Sequence, residues 1–263
     1  MDLLIGGKAF LVVGGTSGMG LAAAQALGAE GARVVVVGRD PDRAQAAAHE
    51  VSAAGAAQAH GLTGDASADG GAAAVVEGAV ELLGGLDGVV VTTGLIGHEP
   101  IEIPDDRWVE MFRDVMLGTT RTVEAALPHL IASRGAIVTT AAYSVRAPEI
   151  ARLPYTSMKA AVATFTKGIA KTYGRHGVRA NCVAPGAIET AALAALRVQI
   201  SQSRGIPLDE ALERVMVDEW HLDLALGRPG QPSEVGALMA FLMSPVAGYL
   251  TGALINIDGG TNF

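Results

Sequence analysis

The chain has 263 residues and a formal charge of −8, and half of its residues are hydrophobic although only 4% are aromatic. That length suits one α/β sheet with an aliphatic core, and the acidic balance excludes nucleic acid or an anionic membrane as the main partner. No run approaches the roughly 18 apolar residues of a membrane span, the start Met1-Asp2-Leu3-Leu4 lacks a basic leader, and Cys182 is the single cysteine, so a cytoplasmic protein with a core thiol is expected.

In chain order, strands are predicted over 8–13, 33–37, 57–62, 87–91, 135–140, 178–183 and 253–257. Helices are predicted over 18–29, 41–54, 68–83, 105–132, 154–174 and 232–243. Continuous β-branched runs such as Arg33-Val-Val-Val-Val-Gly38 and Asp87-Gly-Val-Val-Val91 mark strands buried on both faces. Strand and helix alternate throughout, which calls for right-handed crossovers. The expected fold is a single α/β Rossmann domain over 1–263: three layers, doubly wound, with a parallel sheet of about seven strands. The region 190–226 breaks the rhythm and is interrupted at Gly205-Ile-Pro207; it is expected to form a lid over a site at the strand C-terminal ends.

Two motifs carry chemistry. Phe10-Leu-Val-Val13 runs into Gly14-Gly-Thr-Ser-Gly-Met-Gly20 and then an alanine-rich helix. Missing side chains in such a strand–turn–helix let the backbone approach a pyrophosphate seated at a helix N-terminus. Far downstream, Tyr155 and Lys159 lie four residues apart in Tyr-Thr-Ser-Met-Lys. A helix there puts phenol and ammonium on one face, and a cation beside a phenol favours the ionised form that can trade a proton with an alcohol or ketone.

Glycines in the pattern Gly-x3-Gly-x-Gly, followed far downstream by Tyr-x3-Lys, resemble the short-chain dehydrogenase/reductase family, and the likeness runs through nearly the whole chain. It implies that Gly14, Thr16, Ser17, Gly18, Met19 and Gly20 shape the pyrophosphate site and that Asp65 holds the adenine. Gly94 would close the altered turn Val91-Thr-Thr-Gly94, and Pro185, Gly186, Ile188 and Thr190 would border the nicotinamide. Tyr155 would be the general acid or base, and Lys159 would lower its pKa and bind the nicotinamide ribose. The tail Gly227-Arg-Pro-Gly230, Tyr249-Leu-Thr-Gly252 and Asp258-Gly-Gly260 is similar to the family's ending. The resemblance also implies a small carbonyl or alcohol substrate and a homodimer or tetramer. Its interface would pair a helix carrying Trp108, Met111, Phe112, Val115 and Leu130 with one carrying Val162, Phe165 and Ile169.

The second strand ends in Gly38-Arg39 rather than in an acidic residue, so NADP(H) is favoured, with Arg39 facing the 2′-phosphate and NAD(H) as the alternative. The catalytic pattern departs from the family in two places. Ala142 stands where a serine would hold the substrate oxygen, and Met116 where an asparagine would hold a relay water. Ser144 is the candidate replacement donor, ahead of Tyr143 and Thr140, because residues two apart in a strand share a face. These losses leave two rival readings: a catalytically impaired cofactor-binding protein, or a non-redox lyase or isomerase. His98, Glu99, Arg146 and Arg152 fall in loops expected to border the substrate, with ordinary surface charge the plainer reading of each. His98-Glu-Pro-Ile-Glu102 lacks metal-ligand spacing, and no metal is expected.

Overall fold

Valine runs build the centre of the molecule. In the computed structural model, which describes residues 2–94, 99–148, 152–218 and 224–261, seven strands form one sheet. They are β1 (Ala9–Val13), β2 (Arg33–Gly38), β3 (Gln58–Thr63), β4 (Gly88–Val91), β5 (Ala136–Thr140), β6 (Arg179–Pro185) and β7 (Leu254–Ile257). All pair in parallel, in the order β3-β2-β1-β4-β5-β6-β7. Chain progression reverses between β1 and β4, which opens a crevice beyond the carboxyl ends of those strands.

Alternate strand residues feed two cores. Phe10, Val12, Val34 and Val36 pack against α1 (Gly18–Ala29), α2 (Pro41–Ala53) and α9 (Pro232–Met243). Leu11, Val13, Val35 and Val37 pack on the other face against α3 (Gly71–Leu83), α5 (Gly118–Ser133) and α6 (Leu153–Tyr173). Each such side chain, fully removed from water, contributes about 1.5–3 kcal/mol.

Local chemistry sets the helix starts. Asp40 accepts from the Arg43 amide and Pro41 occupies the first turn, so α2 begins where the strand ends. The helix expected from residue 68 starts only at Gly71. Asp65 turns the chain by accepting from the Ser67 amide and hydroxyl, and Gly70 then adopts φ +73°. The expected single helix over 105–132 is three pieces: α4 (Asp105–Met111), a π-helical segment (Phe112–Leu117) and α5. The π-helical segment packs Val115 and Met116 under α6.

The region 190–226 folds as α7 (Ala191–Arg204) and α8 (Leu208–Asp218), parted at Gly205-Ile-Pro207. Ile200, Ala211, Leu212 and Val215 close over Tyr143. Arg197 bridges Glu189 at 2.6 Å and Glu213 at 3.4 Å, joining both helices to the segment that follows β6. Among the described residues, no helix is long and apolar enough to cross a membrane.

Candidate active site

The crevice between β1 and β4 opens into a cavity of about 610 Å³. Gly14, Thr16 and Ser17 line one side, Arg39, Asp40 and Arg43 the far end, and Asp65, Thr93 and Gly94 the other side. The glycine turn is held shut by Thr92, whose hydroxyl donates to the carbonyls of Val13 and Gly14 at 3.1 and 3.2 Å. Gly20 packs so closely that a Cβ there would collide with the Gly14 carbonyl and stand 2.5 Å from Thr92 Oγ1. Ser17, which precedes α1, makes no side-chain cap, so the first-turn amides of α1 face the cleft without a serine oxygen among them. Met19, in the first turn of α1, packs against the core.

The far end is cationic. Arg39 precedes the α2 cap and Arg43 lies in the first turn of α2, and both line this end of the cavity. Among the described residues, neither guanidinium meets a carboxylate in an ion pair, whereas Arg107, Arg121, Arg197, Arg214 and Arg228 each do. The carboxylate of Asp40 is occupied as the α2 cap. Arg43 escaped the sequence reading, because its place in the cleft depends on where α2 begins. Gly38 makes room here: a Cβ on it would lie 2.5 Å from Thr16 Cγ2. The Ser67 hydroxyl holds the Asp65 carboxyl below the usual carboxylate range, with the Arg39 charge adding to the effect.

Lys159 is 3% exposed, and its ammonium donates to the carbonyls of Thr93 and Thr140, each at 3.1 Å. A Cβ on Gly94 would come within 3.0 Å of the same nitrogen. Burial pushes its pKa down to about 8. Its Nζ lies 5.7 Å from the Tyr155 ring centroid. Tyr155 itself is pushed up to about 12 by burial, with Arg152 pulling the other way. The ammonium sits over the ring with its donors turned to two carbonyls, and burial of the phenol wins.

Ser144 does not sit where an extended strand would put it. The chain leaves β5 and coils into a 3-10 turn at Tyr143–Val145, and the Ser144 hydroxyl, 1% exposed, pairs with Thr156 at 2.8 Å. Thr140 donates to the Val91 carbonyl. Ala142 is buried, and Met116 packs with the cluster of Val115, Ala141, Val162 and Cys182. Pro185 ends β6, Gly186 packs on Asp258, and Ile188 is buried and bridges to Gly230. Thr190 caps α7 and lies 3.3 Å from the position of a Cβ on Gly18, so the β6 end and the glycine turn do meet. His98 lies outside the described residues; Glu99 is paired with Arg107, and Arg146 donates to the Leu254 carbonyl. Among the described residues, no three His, Cys, Asp or Glu side chains cluster as metal ligands would.

A nicotinamide dinucleotide fits these residues: a glycine cradle, two arginines, and a Thr93 hydroxyl buried on the cleft wall with no hydrogen-bond partner among the described residues. A family model described as enoyl-(acyl carrier protein) reductase matches residues 13–262. The chain is 33% identical over 258 residues to L-fucose dehydrogenase of Mus musculus, covering 97% of this chain and 88% of that protein. It is 30% identical over 264 residues to a 3-oxoacyl-(acyl-carrier-protein) reductase of Aquifex aeolicus, covering 99% of each. Among solved structures, L-sorbose reductase of Gluconobacter frateurii, complexed with NADPH and L-sorbose, superposes with a TM-score of 0.92 at 30% identity, covering 98% of both chains.

Proposed function

Since the chain belongs to the short-chain dehydrogenase/reductase family, we propose that it interconverts a small secondary alcohol and a ketone with NADP(H). The observation that carries this reading is Lys159. A buried ammonium without a carboxylate partner among the described residues is costly, and it lies directly over the ring of Tyr155. Such a charge is kept where it favours a phenolate.

The bound cofactor would accept or supply the hydride at the reacting carbon. The protein's part is to bind, orient and move the proton. Gly14, Thr16, Ser17, Gly18, Met19 and Gly20 would hold the pyrophosphate, Asp65 the adenine side, Gly94 and Lys159 the nicotinamide ribose, and Pro185, Gly186, Ile188 and Thr190 the nicotinamide face. Arg39, joined by Arg43, would hold the 2′-phosphate; the NADPH-bound sorbose reductase supports that choice. In the oxidative direction Tyr155 takes the alcohol proton; in the reductive direction it returns it to the carbonyl oxygen. The α7–α8 pair acts as the lid that excludes water. Sugars and acyl ketones, the substrates in the names of similar proteins, set the first panel to assay.

Tyr155→Phe removes only the transferable proton. Turnover of NADPH with L-sorbose or a β-ketoester is expected to fall by on the order of 100- to 10,000-fold with NADPH affinity unchanged. Activity that survives this change refutes the mechanism. Ala142 and Met116 favour a second reading, a cofactor-binding protein with impaired chemistry. In that case the wild type binds NADPH and turns over nothing in the panel.

A further inference from the structure

Arg197 joins the α7–α8 pair to the edge of the cofactor cleft, and the joint is asymmetric. Its fixed end is Glu189, which follows the buried Ile188 and precedes Thr190, the residue whose methyl lies 3.3 Å from a Cβ position on Gly18. The Glu189 amide donates to the Gly230 carbonyl at 2.8 Å, and the Gly230 amide returns to the Ala187 carbonyl at 2.9 Å. Side chains on a helix lean toward its N-terminus, so Arg197 reaches back along α7 to this anchor. Nη1 meets Glu189 Oε1 at 2.6 Å and Nη2 meets Oε2 at 3.0 Å, a fork on a fork. The same Nη2 also meets Glu213 Oε1 on α8, singly and at 3.4 Å. Glu213 is the more exposed carboxylate, 45% against 30% for Glu189. α8 is connected to α7 through Gly205, at φ +63°, and contributes Ala211, Leu212 and Val215 to the cover over Tyr143, in the β5–α6 connection that leads to Tyr155.

We propose that Arg197 is a positioning residue that latches α8 shut. Its forked arm fixes α7 to the cleft edge, and its single arm holds α8 until substrate enters or product leaves. This rests on the oxidoreductase reading above and deepens it by naming what governs access to the site. A single, partly exposed ion pair is worth at most about a 5-fold change in an equilibrium. A latch of that strength opens within a turnover, as a lid must. The guanidinium also keeps apart two carboxylates that share one of its nitrogens. Without it those carboxylates face each other, and their repulsion drives α8 outward. Glu213 therefore helps to close the lid when Arg197 is present and opens it when Arg197 is absent.

The test uses full-length protein with NADPH and the same two probes, L-sorbose and a β-ketoester. Arg197→Met is expected to raise the KM for the carbonyl probe by on the order of 10-fold and to leave kcat within about 2-fold, the signature of lost uniform binding. Glu213→Gln alone should raise that KM by about 2- to 5-fold. Added to Arg197→Met, the same change should lower the KM by at least about 3-fold, because it removes the repulsion. Arg197→Lys, which keeps the charge but cannot fork, should fall between wild type and Arg197→Met. Amide hydrogen exchange should quicken in α8 of Arg197→Met and slow again in the double variant. Thermal unfolding with and without NADPH identifies any variant that does not fold; Arg197→Lys and Glu213→Gln then carry the test. An unchanged KM in Arg197→Met, or in both Arg197→Lys and Glu213→Gln, overturns the inference. So does Glu213→Gln shifting KM in the same direction in both backgrounds. Those outcomes leave the oxidoreductase reading standing as long as wild type turns over a probe and Tyr155→Phe is dead. A wild type inert on both probes, or an active Tyr155→Phe, overturns that reading and the inference with it.

Discussion

Arg39 and Arg43 show how a site is set by what its side chains do not touch. In a chain with 27 acidic and 19 basic residues, two guanidiniums that share a cleft and form no ion pair among the described residues repel one another. A dianionic phosphate between them relieves that repulsion. Arg39→Ala and Arg43→Ala are each expected to weaken NADPH binding by about 1.5–3 kcal/mol and to leave NADH nearly untouched. Fluorescence titration with both cofactors checks this, and equal losses for the two would remove the phosphate from the cleft. Arg39 was readable from the end of a valine strand. Arg43 was not, because only the Asp40 cap fixes the first turn of α2 and so aims position 43 at the cleft. Ser144 lies elsewhere than its sequence position implied, for the converse reason. Extending the strand by two residues puts it roughly 7 Å beyond Ala142 on the same face, but the chain coils at Tyr143 and the hydroxyl turns to Thr156.

Elements were more legible than residues. The β-branched runs announced β2, β4 and β5, since only a sheet covered on both faces keeps such sequences dry. The glycine turn and the Tyr155–Lys159 spacing placed two helices that the fold then brings to one crevice. What the sequence hid was the π-helical segment at Phe112–Leu117, which contains neither glycine nor proline and whose extra residue is accommodated by packing under α6. That same stretch revises the expected interface. Met111, Val115, Leu130 and Val162 are buried within the chain's own core, whereas Val109 and Phe112 are 49% and 42% exposed. A smaller apolar strip than expected remains on α4 and the π-helical segment. It is still sufficient reason to expect a two-fold pairing of this face. Light scattering should give at least a dimer at micromolar concentration, and Phe112→Glu should shift it toward monomer; a wild-type monomer would count decisively against the pairing.

For the whole molecule, the buried Lys159 couples folding to pH. Its pKa falls from the ordinary lysine value of 10.5 to about 8, so between those limits the unfolded chain holds more protons than the folded one. Stability contributed at this position therefore rises as pH climbs through that window and is lowest below pH 8. Tyr155 acts in the opposite sense, but only from its ordinary value of 10 up to about 12. Lys159→Met removes the charge and keeps the volume. Its stability relative to wild type should be greatest near pH 7.5 and shrink by on the order of 2 kcal/mol toward pH 10. Urea unfolding of the cofactor-free proteins at fixed concentration measures this, and a pH-independent difference would contradict it.

The contact between Gly38 and Thr16 has a consequence for the history such a site can follow. An aspartate at 38 is the replacement that would exchange phosphate recognition for a ribose hydroxyl. Its Cβ would have to enter space within 2.5 Å of the Thr16 methyl and 2.8 Å of its hydroxyl. Introduced first, the aspartate would carry an overpacking cost of about 1–3 kcal/mol; introduced after threonine 16 has shrunk to alanine or glycine, it would not. The two substitutions are epistatic, and only one order of events is open to selection. A lineage with threonine in the glycine turn is held to its cofactor by a neighbour that need not touch the cofactor's distinguishing group.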